Sequence, residues 1–187
     1  NGVVIHSPPK GSKSWEQRFG IKGAGREVLT AVWGASPDDL YAVGHLENGA
    51  GLKPAHTGEI FHSTDAGTTW FAAHRSTGAQ ELHGVWGSSA SNVFVVGEGG
   101  AILHSGNGGK SWEAQAAKPP VKNTLRAVWG PSAEEVYVVG DKGKVLHTRD
   151  GGKTWAPDKA PAGIEFRGVW GPDKDHVYAI GQDEKAD

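Results

Sequence analysis

The sequence of 187 residues contains no cysteine and no methionine, and its formal net charge at pH 7 is only −2. The lack of cysteine excludes disulfides and thiol chemistry, and the weak charge gives no electrostatic basis for binding nucleic acid. No stretch approaches the roughly 20 apolar residues of a membrane-spanning helix, so we predict no membrane insertion. The lack of methionine, at position 1 as elsewhere, suggests a natural start that was removed or lies upstream. A chain of this length suits one domain with a buried core.

The eight tryptophans fall at two recurring positions. At the first position a tryptophan stands between a valine and a glycine, as Trp33, Trp86, Trp129 and Trp170. At the second it ends a segment rich in glycine, serine and threonine, as Trp15, Trp70, Trp112 and Trp155. A unit of about 40 residues that recurs along a chain indicates a repeat architecture.

Each unit reads as four short β-strands, which we call A to D in chain order. Strand A ends at Val-Trp-Gly, and strand B then carries an aromatic residue and a glycine at constant spacing, Tyr41 and Gly44 in the first copy. Short β-branched or aromatic segments bounded by Gly, Pro, Asp or Ser predict strands. Four-stranded antiparallel sheets arranged around an axis form a propeller. The sequence therefore predicts an all-β fold, a β-propeller of four-stranded antiparallel blades.

Counting strands predicts one propeller domain, residues 1–187, with three complete blades at 28–75, 81–118 and 124–160. Residues 1–20 supply strands C and D alone, and residues 166–187 supply strands A and B, so the chain holds four blade equivalents with one composite blade. Unpaired strand edges favour pairing with another strand. An eight-bladed head-to-tail homodimer, joined through the terminal half-blades, is favoured. A closed four-bladed monomer and a piece of a longer chain remain open.

The segments that end at the second tryptophan carry a family resemblance. Their matching positions are Ser63, Asp65, Gly67 and Trp70; Ser105, Asn107, Gly109 and Trp112; and Thr148, Asp150, Gly152 and Trp155. These segments resemble the Asp-box (BNR) hairpin of sialidase-type, YVTN-like propellers, although the copy from Ser7 to Trp15 is longer and lacks the aspartate. The resemblance implies a structural role for the box, on the face away from the ligand, and favours a secreted or periplasmic location.

Polar residues that break the repeat cluster at the other face, where the central channel opens. The loops entering strand A and those joining B to C share this mouth face. The candidate ligand-binding residues are Thr30, His83, Arg126 and Arg167 in strand A; Glu81 and Glu165 before it; and His45, Glu98, Asp141 and Gln182 after strand B. They suit a polar ligand. Alternatively, their charges pair with one another around a solvated opening.

Histidine recurs in strand C as His6, His62, His104 and His147, too far from the axis to share a metal ion. We predict packed, hydrogen-bonded rings there. Residues 45–59 form a predicted long loop that bears His45 and His56, with no third ligand in view. No metal site and no cofactor are therefore predicted.

The resemblance favours a non-catalytic binding module, for a protein or peptide first and a carbohydrate second. A glycoside hydrolase or sialidase-like enzyme is the alternative, with Glu81 and Glu165 as the best carboxylate pair. No tyrosine stands out as a nucleophile, because all three occupy the same strand B position. A purely structural assembly unit is the third possibility.

Overall fold

A computed structural model describes residues 2–7, 14–17, 26–48 and 55–183. Within these ranges the chain forms antiparallel sheets and one 3₁₀ turn, Glu98–Gly100. Blade 1 consists of β3 (Arg26–Gly34), β4 (Leu40–Asn48), β5 (Ala55–Ser63) and β6 (Phe71–Ala79). Blade 2 consists of β7 (Leu82–Ser89), β8 (Asn92–Gly97), β9 (Ile102–Ser105) and β10 (Glu113–Gln115). Blade 3 consists of β11 (Leu125–Trp129), β12 (Val136–Gly140), β13 (Lys144–Thr148) and β14 (Ala156–Pro157).

Two-stranded sheets flank these blades. The N-terminal end sheet pairs β1 (Ile5–His6) with β2 (Glu16–Gln17), and the C-terminal end sheet pairs β15 (Ile164–Asp173) with β16 (His176–Asp183). Among the described residues, β16 does not pair with β1. The predicted all-β fold of four-stranded antiparallel sheets is confirmed. No helix in the described part of the chain has the length and hydropathy to cross a membrane.

The predicted loop at 45–59 is wrong at both of its ends. His45–Asn48 continue β4 and Ala55–Glu59 begin β5, with His45 opposite Gly58 and Glu47 opposite His56. Residues 49–54 lie outside the described residues. β4 and β5 are longer than the equivalent strands of blades 2 and 3, because their antiparallel hydrogen bonding continues past the point where those strands end.

The buried core lies between neighbouring blades rather than within any one of them. One cluster joins Tyr41 and Ile60 of blade 1 to Leu82 and Val95 of blade 2. A second cluster joins blade 2 to blade 3 and includes Trp155, which is 1% exposed. Each blade is therefore stabilised mainly by the burial of apolar surface against the next.

The Val-Trp-Gly motif links successive blades. A Cβ atom built on Gly87 would lie 2.6 Å from Cη2 of Trp33, in the preceding blade. A Cβ atom on Gly130 would likewise lie 2.9 Å from Cη2 of Trp86, and one on Gly171 would lie 2.9 Å from Cη2 of Trp129. The glycine therefore leaves the space that the indole of the preceding blade fills. We call this contact the tryptophan–glycine interlock.

A second contact joins the blades nearer the outside. The ring of Trp112 in blade 2 meets Tyr41 of blade 1 edge-on, with centroids 6.2 Å apart. Trp155 of blade 3 meets Phe94 of blade 2 in the same way at 6.0 Å. Edge-to-face pairs of this kind add stabilisation beyond the area that they bury. The two tryptophan positions of the repeat therefore both serve contacts between blades.

The turns before these tryptophans, which we call the box turns (63–70, 105–112 and 148–155), are held by their own side chains. The Thr154 amide and hydroxyl donate to Asp150 at 2.8 and 2.6 Å, and the Gly152 amide donates to the Thr148 hydroxyl at 2.9 Å. The hydrogen bonds that Asp150 accepts from Thr154 and from the Thr148 hydroxyl, led by that from the Thr154 hydroxyl, lower the pKa of Asp150 to about 2. Asn107 accepts the Ser111 amide in the same way. The predicted copy from Ser7 to Trp15 lies partly outside the described residues.

The strand C histidines stack on the strand B aromatics. The centroid distances are 4.1 Å for His62 on Tyr41 and 3.9 Å for His147 on Tyr137. Their Nε2 atoms lie 3.0 Å from Asp39 and 3.1 Å from Glu135. His104 packs on Phe94 in the same manner. The prediction of packed, hydrogen-bonded rings is thus confirmed for these three histidines.

Gly130 has no room for a side chain. In Gly130→Ala the Cβ atom would overlap the carbonyl oxygen of Glu135 and would lie 2.9 Å from Cη2 of Trp86. We therefore expect the free energy of unfolding to fall by about 1–3 kcal/mol, as in other overpacked cores. Gly106→Ala is the control, because a Cβ atom there meets no heavy atom closer than 3.8 Å. Urea unfolding of both variants measures the difference. Equal stability of the two variants would contradict the interlock.

Candidate functional site

Four strand A residues that break the repeat lie in β-bulges. In blade 1, Leu29 pairs with Gly44 and Ala31 with Val43, which leaves Thr30 as the extra residue. The same register shift in the other sheets makes the corresponding residues His83, Arg126 and Arg167 the extra ones. A bulged residue falls outside the alternation of the two sheet faces, and bulges often re-aim a side chain beside a functional site.

The strand B glycine stands opposite each bulge. A Cβ atom on Gly97 would overlap the carbonyl oxygen of Glu81, and one on Gly140 would overlap that of Thr124. The amides of the next residues, Glu98 and Asp141, donate to these same carbonyl oxygens at 2.9 Å. Glycine therefore allows the close approach that the bulge requires. The bulge therefore accounts both for the constant glycine in strand B and for the variable residue in strand A.

This geometry gathers the predicted site residues of each blade at one end of its sheet. Glu81, His83 and Glu98 form such a group in blade 2, with ligand atoms within 4.8 Å of one another. In the C-terminal end sheet, Glu165 lies opposite Gln182. In blade 1, Val28 lies opposite His45. Together with Thr30, Arg126, Asp141 and Arg167, these groups form a row along the ends of strands A, which we call the mouth row.

Arg126 is held by a carboxylate of its own blade. Its Nε and Nη2 atoms donate to the two Asp141 oxygens at 2.6 and 2.9 Å. Burial opposes ionisation of Asp141, but the hydrogen bonds from Arg126 outweigh it and lower the Asp141 pKa. The same bonds raise the pKa of Arg126. Here the charges of the mouth row pair with one another.

Arg167 has a different environment. Its side chain is exposed, and it acts on Asp141 through its charge. Nearby, Glu165 accepts the Lys142 amide at 3.1 Å. Gln182 is exposed as well. This end of the mouth row therefore presents an accessible cation beside polar groups. Thr30, by contrast, donates to the Leu82 carbonyl oxygen at 2.6 Å.

The structure brings His45 and His56 to a carboxylate that the sequence did not associate with them. Their rings stack with centroids 4.7 Å apart and planes 3° from parallel. Glu81 contacts Nδ1 of His56, and its other oxygen lies 3.7 Å from Nδ1 of His45. Glu81 precedes blade 2 and reaches across to blade 1. The burial of His83 and the charge of Arg126 lower the pKa of that neighbouring histidine.

Sequence reasoning missed a buried carboxylate in blade 1. Glu59 is 1% exposed, and its Oε1 lies 2.6 Å from Nε of Arg75. Burial raises the pKa of Glu59 despite this arginine. The signal was present in the repeat, because Glu59 occupies the strand C position that Ala101 and Lys144 fill in the other blades.

The carboxylate pair of the enzyme alternative is split between two groups. Glu81 contacts the histidines of blade 1, whereas Glu165 contacts the segment after β12 of blade 3. Glu81 therefore lies where blade 1 meets blade 2, and Glu165 lies where blade 3 meets the C-terminal end sheet.

Comparison with solved structures decides the fold. A chain described as YCF48 bound to D1 peptide matches with a TM-score of 0.58 and 14% identity, over 86% of this chain and 62% of that one. YCF48 from Cyanidioschyzon merolae matches at 0.55 and 14%, over 97% and 74%. An ancestral GH74 enzyme matches at 0.68 and 14%, over 93% and 24%. The chain has a β-propeller fold. At these identities the similarity shows the fold alone.

The sequence comparisons cover less of the chain. The model of the family described as Photosynthesis system II assembly factor YCF48 matches residues 80–161, which contain blades 2 and 3. None of the curated proteins matches the sequence. The chain spans 62% of the YCF48 chain with bound peptide and about a quarter of the GH74 enzyme. These matches support a BNR-like propeller.

Proposed function

We propose that this chain is a non-catalytic propeller module of the Asp-box type that binds a protein or peptide segment on its mouth face. The family match over blades 2 and 3 supports the proposal. The similarity to a YCF48 chain with bound D1 peptide supports a peptide as the class of ligand. A glycan is the competing ligand, and the experiment below distinguishes the two.

The observation that carries the proposal is the set of four bulges. Thr30, His83, Arg126 and Arg167 differ at a position that falls outside the regular pairing of strands A and B. The adjacent positions, by contrast, are constrained by the bulge and the interlock. Variation concentrated at one end of the strands is the pattern of a site carried by a rigid scaffold.

The chemistry of the mouth row suits a peptide. Exposed Arg167 can donate to a carboxylate or a backbone carbonyl, and Gln182 both donates and accepts hydrogen bonds. Arg126 is fixed by Asp141, so its orientation is set before binding. Preorganised polar groups lose less entropy on binding than mobile ones. We therefore propose Arg167 as the main cationic contact.

Loss of Arg167 should weaken peptide binding without unfolding the protein. The probes are peptides selected from a random display library against the purified protein, and fluorescence anisotropy measures their affinity. Arg167→Ala is expected to weaken binding about tenfold, as for an interface arginine worth about 1.4 kcal/mol. Arg149→Ala is the matched control, since Arg149 is an exposed arginine in a box turn on the opposite face.

Three results would contradict this proposal. An effect of Arg149→Ala without one of Arg167→Ala would move the site to the box-turn face. Failure to select any peptide that binds the folded protein would remove the ligand class. Binding to a glycan array, with no selected peptide, would favour the carbohydrate instead.

We further propose that two copies join head to tail through their end sheets. Both halves of the interlock differ there: Trp170 is 59% exposed, and the atoms of the described residues nearest to a Cβ built on Gly34 belong to Leu40, Ser36 and Asp39 rather than to an indole. Tyr178 is 60% exposed and Trp15 61%, although their equivalents in blades 1–3 are more buried. The N-terminal end sheet leaves a hollow beside Leu29 and Val32. A second copy's β15 and β16 suit this space, with its Trp170 against Gly34.

Disruption of this contact should halve the mass in solution. Ile180 is 69% exposed on β16, so Ile180→Glu puts a charge where the partner would pack. Light scattering is expected to give the mass of two 19.6-kDa chains for the wild type and of one for the variant. Phe71→Glu, an exposed aromatic residue of β6, is the control and should keep the wild-type mass. A wild-type mass of one chain would contradict the dimer.

A further inference from the structure

We infer that His45, His56 and Glu81 form a binding site for one divalent transition-metal ion such as Zn²⁺, at the junction of blades 1 and 2. The ligand atoms of the three residues lie within 4.8 Å of one another. Imidazole nitrogen and carboxylate oxygen are ligands that Zn²⁺ takes in proteins, and two histidines with one glutamate form a known ligand set. His45 and Glu81 belong to the mouth row, but the argument for the ion does not use the proposed peptide binding.

The distances fit an ion between the three side chains. Two ligands of a tetrahedral zinc with bonds of 2.0–2.1 Å stand about 3.3 Å apart. Nδ1 of His45 and the nearer oxygen of Glu81 are 3.7 Å apart, beyond a hydrogen bond and close to this spacing. Glu81 and His56 are in direct contact, so insertion of the ion needs a small separation of these two groups.

The state of His45 is the independent observation that points to a ligand. The residue is 6% exposed, and its Nδ1 atom is buried with no hydrogen-bond partner. A buried polar atom without a partner is costly, and in a native protein it calls for an explanation such as an ion. A metal ion between His45 and Glu81 would satisfy this nitrogen.

The fold holds these ligands on rigid elements. His45 lies in β4 and His56 in β5, two positions apart on the paired strands, so both rings lie on one face of blade 1. Glu81 stands directly before β7, and its carbonyl accepts the Glu98 amide at 2.9 Å. Three protein ligands leave a tetrahedral ion one position for water or another ligand. The ion would also link two adjacent blades.

A zinc titration tests this inference. Tag-free protein, dialysed first against a chelator, is titrated with ZnCl₂ in a calorimeter. One ion per chain is expected, and His45→Ala and His56→Ala should each weaken its binding more than tenfold. His56 is the less buried of the two histidines, so His56→Ala keeps the test valid if His45→Ala does not fold. Circular dichroism checks the fold of each variant.

Two further variants locate the ion. His176→Ala is the matched control, because His176 pairs with Asp173 at the opposite end of the C-terminal end sheet. His83→Gln tests the adjacent group of Glu81, His83 and Glu98. Both variants should bind zinc as the wild type does. Absence of zinc binding, loss with His83→Gln but not with His56→Ala, or equal loss with His176→Ala would each overturn the inference.

Discussion

Three tryptophans of the Val-Trp-Gly motifs, Trp33, Trp86 and Trp129, fill the space above the glycine of the next motif. This contact joins each of these blades to the one before it, because a Cβ atom on Gly87 or Gly130 would meet the indole of the preceding blade. In the outer contact the tryptophan comes from the following blade, since Trp112 of blade 2 packs on Tyr41 of blade 1. The core accordingly lies between blades. No blade buries its apolar face alone, which is the general condition of a repeat architecture.

Because of this packing, the residues that stabilise the fold differ from the residues of the candidate site. Glycine in strand B permits a bulge in strand A, and the bulge releases one residue from both sheet faces. Thr30, His83, Arg126 and Arg167 can therefore differ while the residues around them keep their packing roles. The contacts of these four residues also differ from one sheet to the next. Arg126 is tied to Asp141, whereas Arg167 remains exposed.

Much of this fold could be predicted from spacing, because each tryptophan, aromatic residue and glycine has a fixed part in one repeated sheet. The clustering of variable polar residues at one end could be predicted for the same reason. The contact of Glu81 with His45 and His56 could not, since it depends on how blade 2 sits against blade 1. The extension of β4 and β5 was also missed, because continued pairing leaves little trace in a segment rich in glycine. Glu59 was overlooked as a departure from the strand C pattern; its equivalents Ala101 and Lys144 are only partly buried, so its full burial could not be read from the repeat.

The central claim is that the mouth row, and not the box-turn face, receives the ligand. Amide chemical-shift mapping of the ¹⁵N-labelled protein, titrated with a selected peptide, tests it most directly. The account predicts that the largest shifts fall at His83, Arg126, Asp141 and Arg167. Shifts concentrated instead at the amides of Thr69, Ser111 and Thr154 in the box turns would contradict it.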